Sequence, residues 1–218
     1  MNRVLSTAVF GALAACSSGG IGNDQAQAAP AGGGTETRLS VLGVNVDDSP
    51  TVVRDKMMKE SFRVTTGKRD CLDMTSFDAV VKDAASHPGR VVDGVSCRAD
   101  YVDGAGRSVT AYFQLLKRGP SLSGMEYFMP FSGTQADLNA MMRKRYGAPV
   151  GTTPTNGGPA PTFSTPTDQR ENAYLRANVN NQRAYIQVED RGFSKSAQSQ
   201  RELRDAVSQA TGGARVKL

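Results

Sequence analysis

Between Val95 and Val188 apolar residues recur at every second position, interrupted by turn-forming clusters, and that period predicts strands with one buried and one wet face. Val95, Cys97, Ala99 and Tyr101 alternate with Ser96, Arg98 and Asp100. Asp103-Gly104-Ala105-Gly106 then turns the chain into a run in which Val109, Ala111, Phe113 and Leu115 share a face. After a Lys117-Arg118-Gly119-Pro120 connection the pattern returns at Met125, Tyr127, Met129 and Phe131. Ala173, Leu175, Ala177 and Val179, answered by Ala184, Ile186 and Val188, form a hairpin with Asn180-Asn181 as its turn.

A period near four marks the helices. Leu39 to Val46 runs into Asp47-Asp48-Ser49-Pro50, an N-cap donor followed by proline at the first helical position, so a helix is expected from about Pro50 to Ser61 with Val53 and Met57 inward and Phe62 closing it. Thr75 with Asp78 reads as a capping box ahead of Phe77, Val80, Val81 and Ala84, ending at His87 and Pro88-Gly89. A third helix opens near Thr134, carries Leu138, Met141 and Met142, and stops at Tyr146 before Gly147 and Pro149. A polar helix from about Ser196 to Gln209 presents Leu203 and Val207 to the sheet. Residues 150–167, dense in Thr, Pro and Gly, read as an irregular loop. The fold class is therefore α+β: a one-sided antiparallel β-meander with about four helices packed on it.

The chain begins with a different signal. Arg3 precedes an apolar run from Val4 to Ala15 that is too short to span a bilayer and ends in Leu13-Ala14-Ala15-Cys16. This resembles the lipobox of bacterial lipoproteins, which implies that residues 1–15 are a signal peptide and that Cys16 becomes the acylated first residue of the mature chain. Ordinary secretory cleavage after Ala26-Gln27-Ala28 is the alternative, but that site stands well beyond the apolar run, whereas Cys16 sits at its end. Ser17 is uncharged, which resembles the pattern of lipoproteins sorted to the outer membrane. Residues 16–37, rich in Ser, Gly, Gln and Ala, form a tether, and 38–211 a single globular domain.

With Arg3 removed from the 26 Lys and Arg, 25 stand against 21 Asp and Glu, a mildly basic balance of +4. In an exported chain this argues for solubility or phosphate-bearing envelope surfaces, and against nucleic acid as a partner. Once Cys16 is acylated only Cys71 and Cys97 remain, and an oxidising compartment lets them pair; we expect a disulfide in preference to two buried thiols.

Catalytic templates fail. The single histidine, His87, stands where a helix C-terminal cap is expected, and no metalloprotease, serine-hydrolase or phosphate-loop pattern occurs. Asp70 with Asp73, and Asp47 with Asp48, are close in sequence but read as turn and cap residues, and Asp100 and Asp103 as a hairpin turn without calcium-loop spacing. No enzyme activity, cofactor or metal is expected. Arg143-Lys144-Arg145 complements the dipole at a helix C-terminus, with contact to lipid phosphates as the sharper alternative. Tyr112, Gln114, Phe128, Tyr174, Arg176, Tyr185 and Gln187 all fall opposite the core positions, and tyrosine with arginine is anchor chemistry for an interface.

Leu42-Gly43 followed by Ser49-Pro50-Thr51-Val52-Val53, and Tyr146-Gly147-Ala148-Pro149 closing a helix, resemble small envelope lipoproteins of the barrel-assembly accessory (BamE-like) type and the fold of the β-lactamase-inhibitor protein. No functional residue is carried over from that resemblance. The sequence leads to the expectation of a non-enzymatic lipid-anchored envelope protein at the periplasmic face of the outer membrane, binding another envelope protein or supporting envelope assembly. The alternatives are a periplasmic hydrolase inhibitor working through the 150–167 loop, or a hydrolase with a cryptic carboxylate site.

Overall fold

A computed structural model describes residues 36–87, 95–155, 158–170, 173–190 and 194–212. The signal peptide, Cys16, nearly all of the tether and the Pro88-Gly89 stop lie outside the described residues. The described chain is α+β, with an eight-stranded antiparallel open sheet, a two-stranded sheet and five helices. In order these are β1 (Ser40–Val41), β2 (Val44–Asn45), α1 (Pro50–Lys59), β3 (Arg63–Val64), α2 (Phe77–Ser86), β4 (Ser96–Val102), β5 (Ser108–Leu116), β6 (Gly119–Pro130), α3 (Gln135–Tyr146), β7 (Gly151–Thr155), β8 (Gly158–Phe163), α4 (Pro166–Arg170), β9 (Ala173–Asn180), β10 (Arg183–Asp190) and α5 (Ser194–Ala210). The large sheet runs β3-β4-β5-β6-β10-β9-β8-β7.

The period-two reading determines which face is buried. Ala99 and Tyr101 on β4, Val109, Ala111 and Phe113 on β5, Leu122, Met125 and Tyr127 on β6, and Leu175, Ala177, Ala184, Ile186 and Val188 on the last hairpin form one core with Val53 and Met57 of α1 and Leu138, Met142 and Tyr146 of α3. A satellite cluster of Phe77, Leu115 and Leu203 joins α2 and α5 to the end of β5 on that same face. Because every described helix longer than one turn and a half buries its apolar stripe there, the opposite face carries mostly half-exposed residues, with Ser96, Arg98 and Val102 of β4 exposed.

Caps follow local chemistry. Ser49 accepts from the Val52 amide with Pro50 at the first helical position, and Thr134 with Asp137 closes a full capping box on α3. At α2 the cap is Ser76, which accepts from Ala79, and not the expected Thr75 with Asp78. Met141 is 48% exposed, since Leu138 and Met142, one turn apart, already fill the inward stripe. Gly119 and Pro120 belong to β6, so the β5–β6 turn is tighter than the expected connection; Phe131 lies just past the end of β6. The β9–β10 turn centres on Asn181-Gln182, one residue beyond the expected pair, both with positive φ.

The expected loop over 150–167 is instead a hairpin, β7 with β8, followed by the short α4. Thr152 pairs with Pro161, Thr153 with Ala160 and Pro154 with Pro159. Prolines are tolerated because β7 is the sheet edge and β8 meets β9 only through Thr162 and Phe163, so few ladder donors are needed.

The first apolar stretch forms the small β1–β2 sheet, turned by Leu42 and Gly43 at positive φ, and is fastened by charge. Asp47 receives the ammonium of Lys195 and the guanidinium of Arg118 (2.6 Å), while Lys195 also donates to the Leu122 carbonyl (2.8 Å). Buried Asp168 on α4 accepts from the Leu39 amide (2.6 Å) and the Thr165 hydroxyl (2.5 Å). The expected disulfide is present between Cys71 and Cys97, holding the segment ahead of α2 onto β4.

Candidate functional site

The register stacks the outward side chains of β4, β5, β6, β10 and β9 in three rows. The first runs Arg98, Tyr112, Gly124, Glu189, Tyr174; the second Asp100, Thr110, Glu126, Gln187, Arg176; the third Ser108, Phe128, Tyr185, Asn178. Six of the seven residues expected on this face therefore fall within three adjacent rows. Gln114, next to the β-bulge at Tyr112/Phe113, joins them at one end. At Gly124 the strand lacks a side chain where Tyr112 lies across it: a Cβ there would stand 3.9 Å from the ring, and 3.4 Å from the Val188 carbonyl oxygen.

Charge is organised around the aromatics. Arg98 pairs with Asp100 (2.9 Å) and stands 6.0 Å from the Tyr112 ring centroid; Thr110 donates to the same carboxylate (2.8 Å). Arg176 bridges Glu189 and the Gln187 side-chain oxygen, each at 2.7 Å. Phe128 and Tyr185 meet with ring centroids 4.7 Å apart, and their tilt is one that aromatic pairs favour over a flat sandwich. The phenols of Tyr112 and Tyr185 are both pushed up, first by burial and then by the negative charge of Glu126. They stay protonated donors at any physiological pH.

Two clefts open on this face and share Glu126 as a wall. The larger, about 690 Å³, is lined among others by Ser108, Phe128, Asn178, Arg183 and Tyr185; the smaller, about 310 Å³, by Tyr112, Gln114, Gln187 and Glu189. The sequence reading missed Glu126 and Asn178, gave Arg98 no role, and took Asp100 for part of a hairpin turn, whereas it lies on β4 in an ion pair with Arg98. Their parity placed them on this face, but nothing in a single strand shows that Glu126 lies between two tyrosines contributed by neighbouring strands.

The other candidates are placed as follows. Arg143-Lys144-Arg145 is divided: Arg145 is committed to Glu36 (3.3 Å) and Ser40 (2.9 Å) and lies over Tyr146, leaving Arg143 and Lys144 exposed. Asp70 accepts from the Leu72 amide as a turn residue, and Asp103 accepts from the Ala105 and Arg107 amides. His87 caps α2, its ring Nδ1 2.9 Å from the Asp83 carbonyl oxygen. Among the described residues no group of three His, Cys, Asp or Glu is placed to hold a metal ion, and no helix is long and apolar enough to cross a membrane. No family model, curated protein or solved structure matches the chain.

Proposed function

We propose that this chain is a non-enzymatic lipoprotein of the bacterial envelope, held at the periplasmic face of the outer membrane through acylated Cys16, and that its open sheet face binds another envelope protein. The observation that carries the reading is the contiguity of Tyr112, Tyr174, Arg176, Phe128, Tyr185 and Gln187 on the half-exposed side of a sheet whose other side is fully used by helices. Rigid strands hold these side chains at fixed spacing, so little conformational entropy is lost when a partner covers them. Tyrosine and arginine in such a setting are the residues that dominate interface energies.

The lipid anchor supplies the other half of the argument. A tethered module searches for its partner in two dimensions and at high effective concentration, so a face of modest affinity is sufficient. The test is photo-crosslinking in intact envelopes from position 108 or 114 on the same face, with a probe at exposed Met58 on α1 as the off-face control and a Cys16→Ser chain as the unanchored one. A discrete, anchor-dependent adduct from the sheet face is expected, and Tyr112→Ala with Tyr185→Ala should weaken capture by roughly 2 kcal/mol or more. Equal adducts from all three positions, or full capture by the double variant, would remove the sheet face from the function.

A further inference from the structure

We propose that the partner is recognised through a basic side chain, arginine or lysine, that seats on Glu126 between the rows of Tyr112 and Tyr185. This rests on the docking role of the sheet face argued above and names the chemistry that face selects.

The charge pattern points to a cation. Of the carboxylates in the three rows, Asp100 is neutralised by Arg98 and Glu189 by Arg176, whereas Glu126, in the middle row, has no ion pair among the described residues. The register places it on β6 between Tyr112 of β5 and Tyr185 of β10, in the rows to either side. A chain of formal net charge +5 thus carries, among its described residues, one carboxylate without an ion pair at the centre of its aromatic face. Arg183, the basic residue of the larger cleft, stands two rows away along β10 and is held on the Gly106 carbonyl oxygen (3.0 Å), so it does not supply the missing charge.

Gln114 Oε1 in the smaller cleft and Asn178 Oδ1 in the larger are buried oxygens without a donor among the described residues, and Arg176 Nε, in the middle row, is a buried donor without an acceptor there. The Glu126 carboxylate takes donors only; a guanidinium brings several N–H donors and no acceptor, and an ammonium three. Tyrosine faces favour cations within about 6 Å, and the position of Arg98 against Tyr112 shows that this ring accepts a guanidinium at its face. An acidic ligand would be repelled by Glu126. A neutral sugar, donor and acceptor alike, would leave its charge unanswered.

A short peptide can stand in for the partner. The full-length chain is titrated with acetyl-Gly-Arg-Gly-amide and with the same peptide carrying citrulline, which matches arginine in shape but has no charge, while the ring resonances of Tyr112 and Tyr185 are followed by NMR. The arginine peptide should move both rings at roughly tenfold lower concentration than the citrulline peptide, and Glu126→Gln, which keeps an acceptor oxygen for the tyrosines, should abolish that difference. Equal responses to the two peptides, no response to either, or a response only to an oligosaccharide of N-acetylglucosamine would overturn the proposal. If these peptides fail while Tyr112→Ala with Tyr185→Ala still abolishes the envelope crosslink, the docking face stands without its basic anchor. If that double variant crosslinks normally, the docking role itself has failed.

Discussion

Asp47 adopts a positive φ of 89°, a conformation that aspartate and asparagine tolerate better than most residues, and this turn delivers its carboxylate to Lys195 and Arg118. Burial would raise that carboxyl, but the hydrogen bond and charge of Lys195, with the charge of Arg118, outweigh it and hold the group below its ordinary 3.8. The sign of the pH effect follows. Above 3.8 the carboxylate is ionised in the folded and unfolded chains alike and its contribution is complete; as pH falls through the lowered folded value that contribution is lost. Asp47→Asn preserves the backbone preference but strands the Lys195 ammonium, whose side chain is only 10% exposed. We expect a loss of about 2 kcal/mol at neutral pH, less than a fully buried pair would give because Asp47 itself is part-exposed, and a flatter decline on acidification below 3.8. Urea unfolding of both proteins at neutral pH and near pH 3 reads both effects; parallel acid profiles would show that the pair contributes nothing. None of this was legible in the sequence, where Asp47 read as a turn or cap residue, because its partner lies 148 residues away. Glu126 was hidden for a related reason: a glutamate at an outward strand position looks solvated until the register sets Tyr112 and Tyr185 in the rows beside it.

At the scale of elements, the strands and helices with a clear period were readable, and the errors collect where composition overrides period. That Ala173, Leu175, Ala177 and Val179 share a face with Ala184, Ile186 and Val188 follows from alternation, whereas their pairing, Ala184 with Val179, Ile186 with Ala177 and Val188 with Leu175, is set by a turn one residue later than the asparagines suggest. Residues 150–167 lack any apolar alternation, and their prolines read as loop, although the sequence also holds an Asn-Gly pair at 156–157, a dipeptide typical of hairpin turns. The β9–β10 turn also offers a test of how far local chemistry limits stability. Gln182 is held at φ 58° without a side chain suited to that region, so Gln182→Gly should stabilise the protein by about 0.5–1 kcal/mol, relief of the left-handed strain exceeding the added freedom of the unfolded chain. A shift of the denaturant midpoint in the opposite direction would mean that Gln182 makes a favourable contact outweighing its backbone cost. Because this turn lies at the end of the two strands that carry Tyr185, Gln187, Tyr174 and Arg176, the substitution should leave binding at the sheet face intact.

At the scale of the whole molecule, the helices and the β1–β2 sheet occupy one side, and the described chain begins there, with Glu36 on the C-terminal end of α3. Stability on the helix side depends on one covalent link. Residues 65–76, between β3 and α2, form no regular element, yet Cys71 is fully buried against the core through its bond to Cys97. Closing a loop of 26 residues removes roughly 3.5 kcal/mol of unfolded-state entropy on the chain-entropy estimate, a large fraction of the 5–15 kcal/mol that holds an ordinary domain folded. Such a bond persists in an oxidising compartment and is rare in a reducing one. Cys71→Ala with Cys97→Ala should lower the unfolding free energy by about 3 kcal/mol, with Phe77 and the start of α2 losing amide-exchange protection before the β5–β6–β10 centre of the sheet does. Hydrogen exchange on both proteins separates the outcomes: protection lost first around residues 65–86 supports the bond as the clamp on that segment, whereas a uniform decrease would make it a global constraint, and a change below about 1 kcal/mol a passenger.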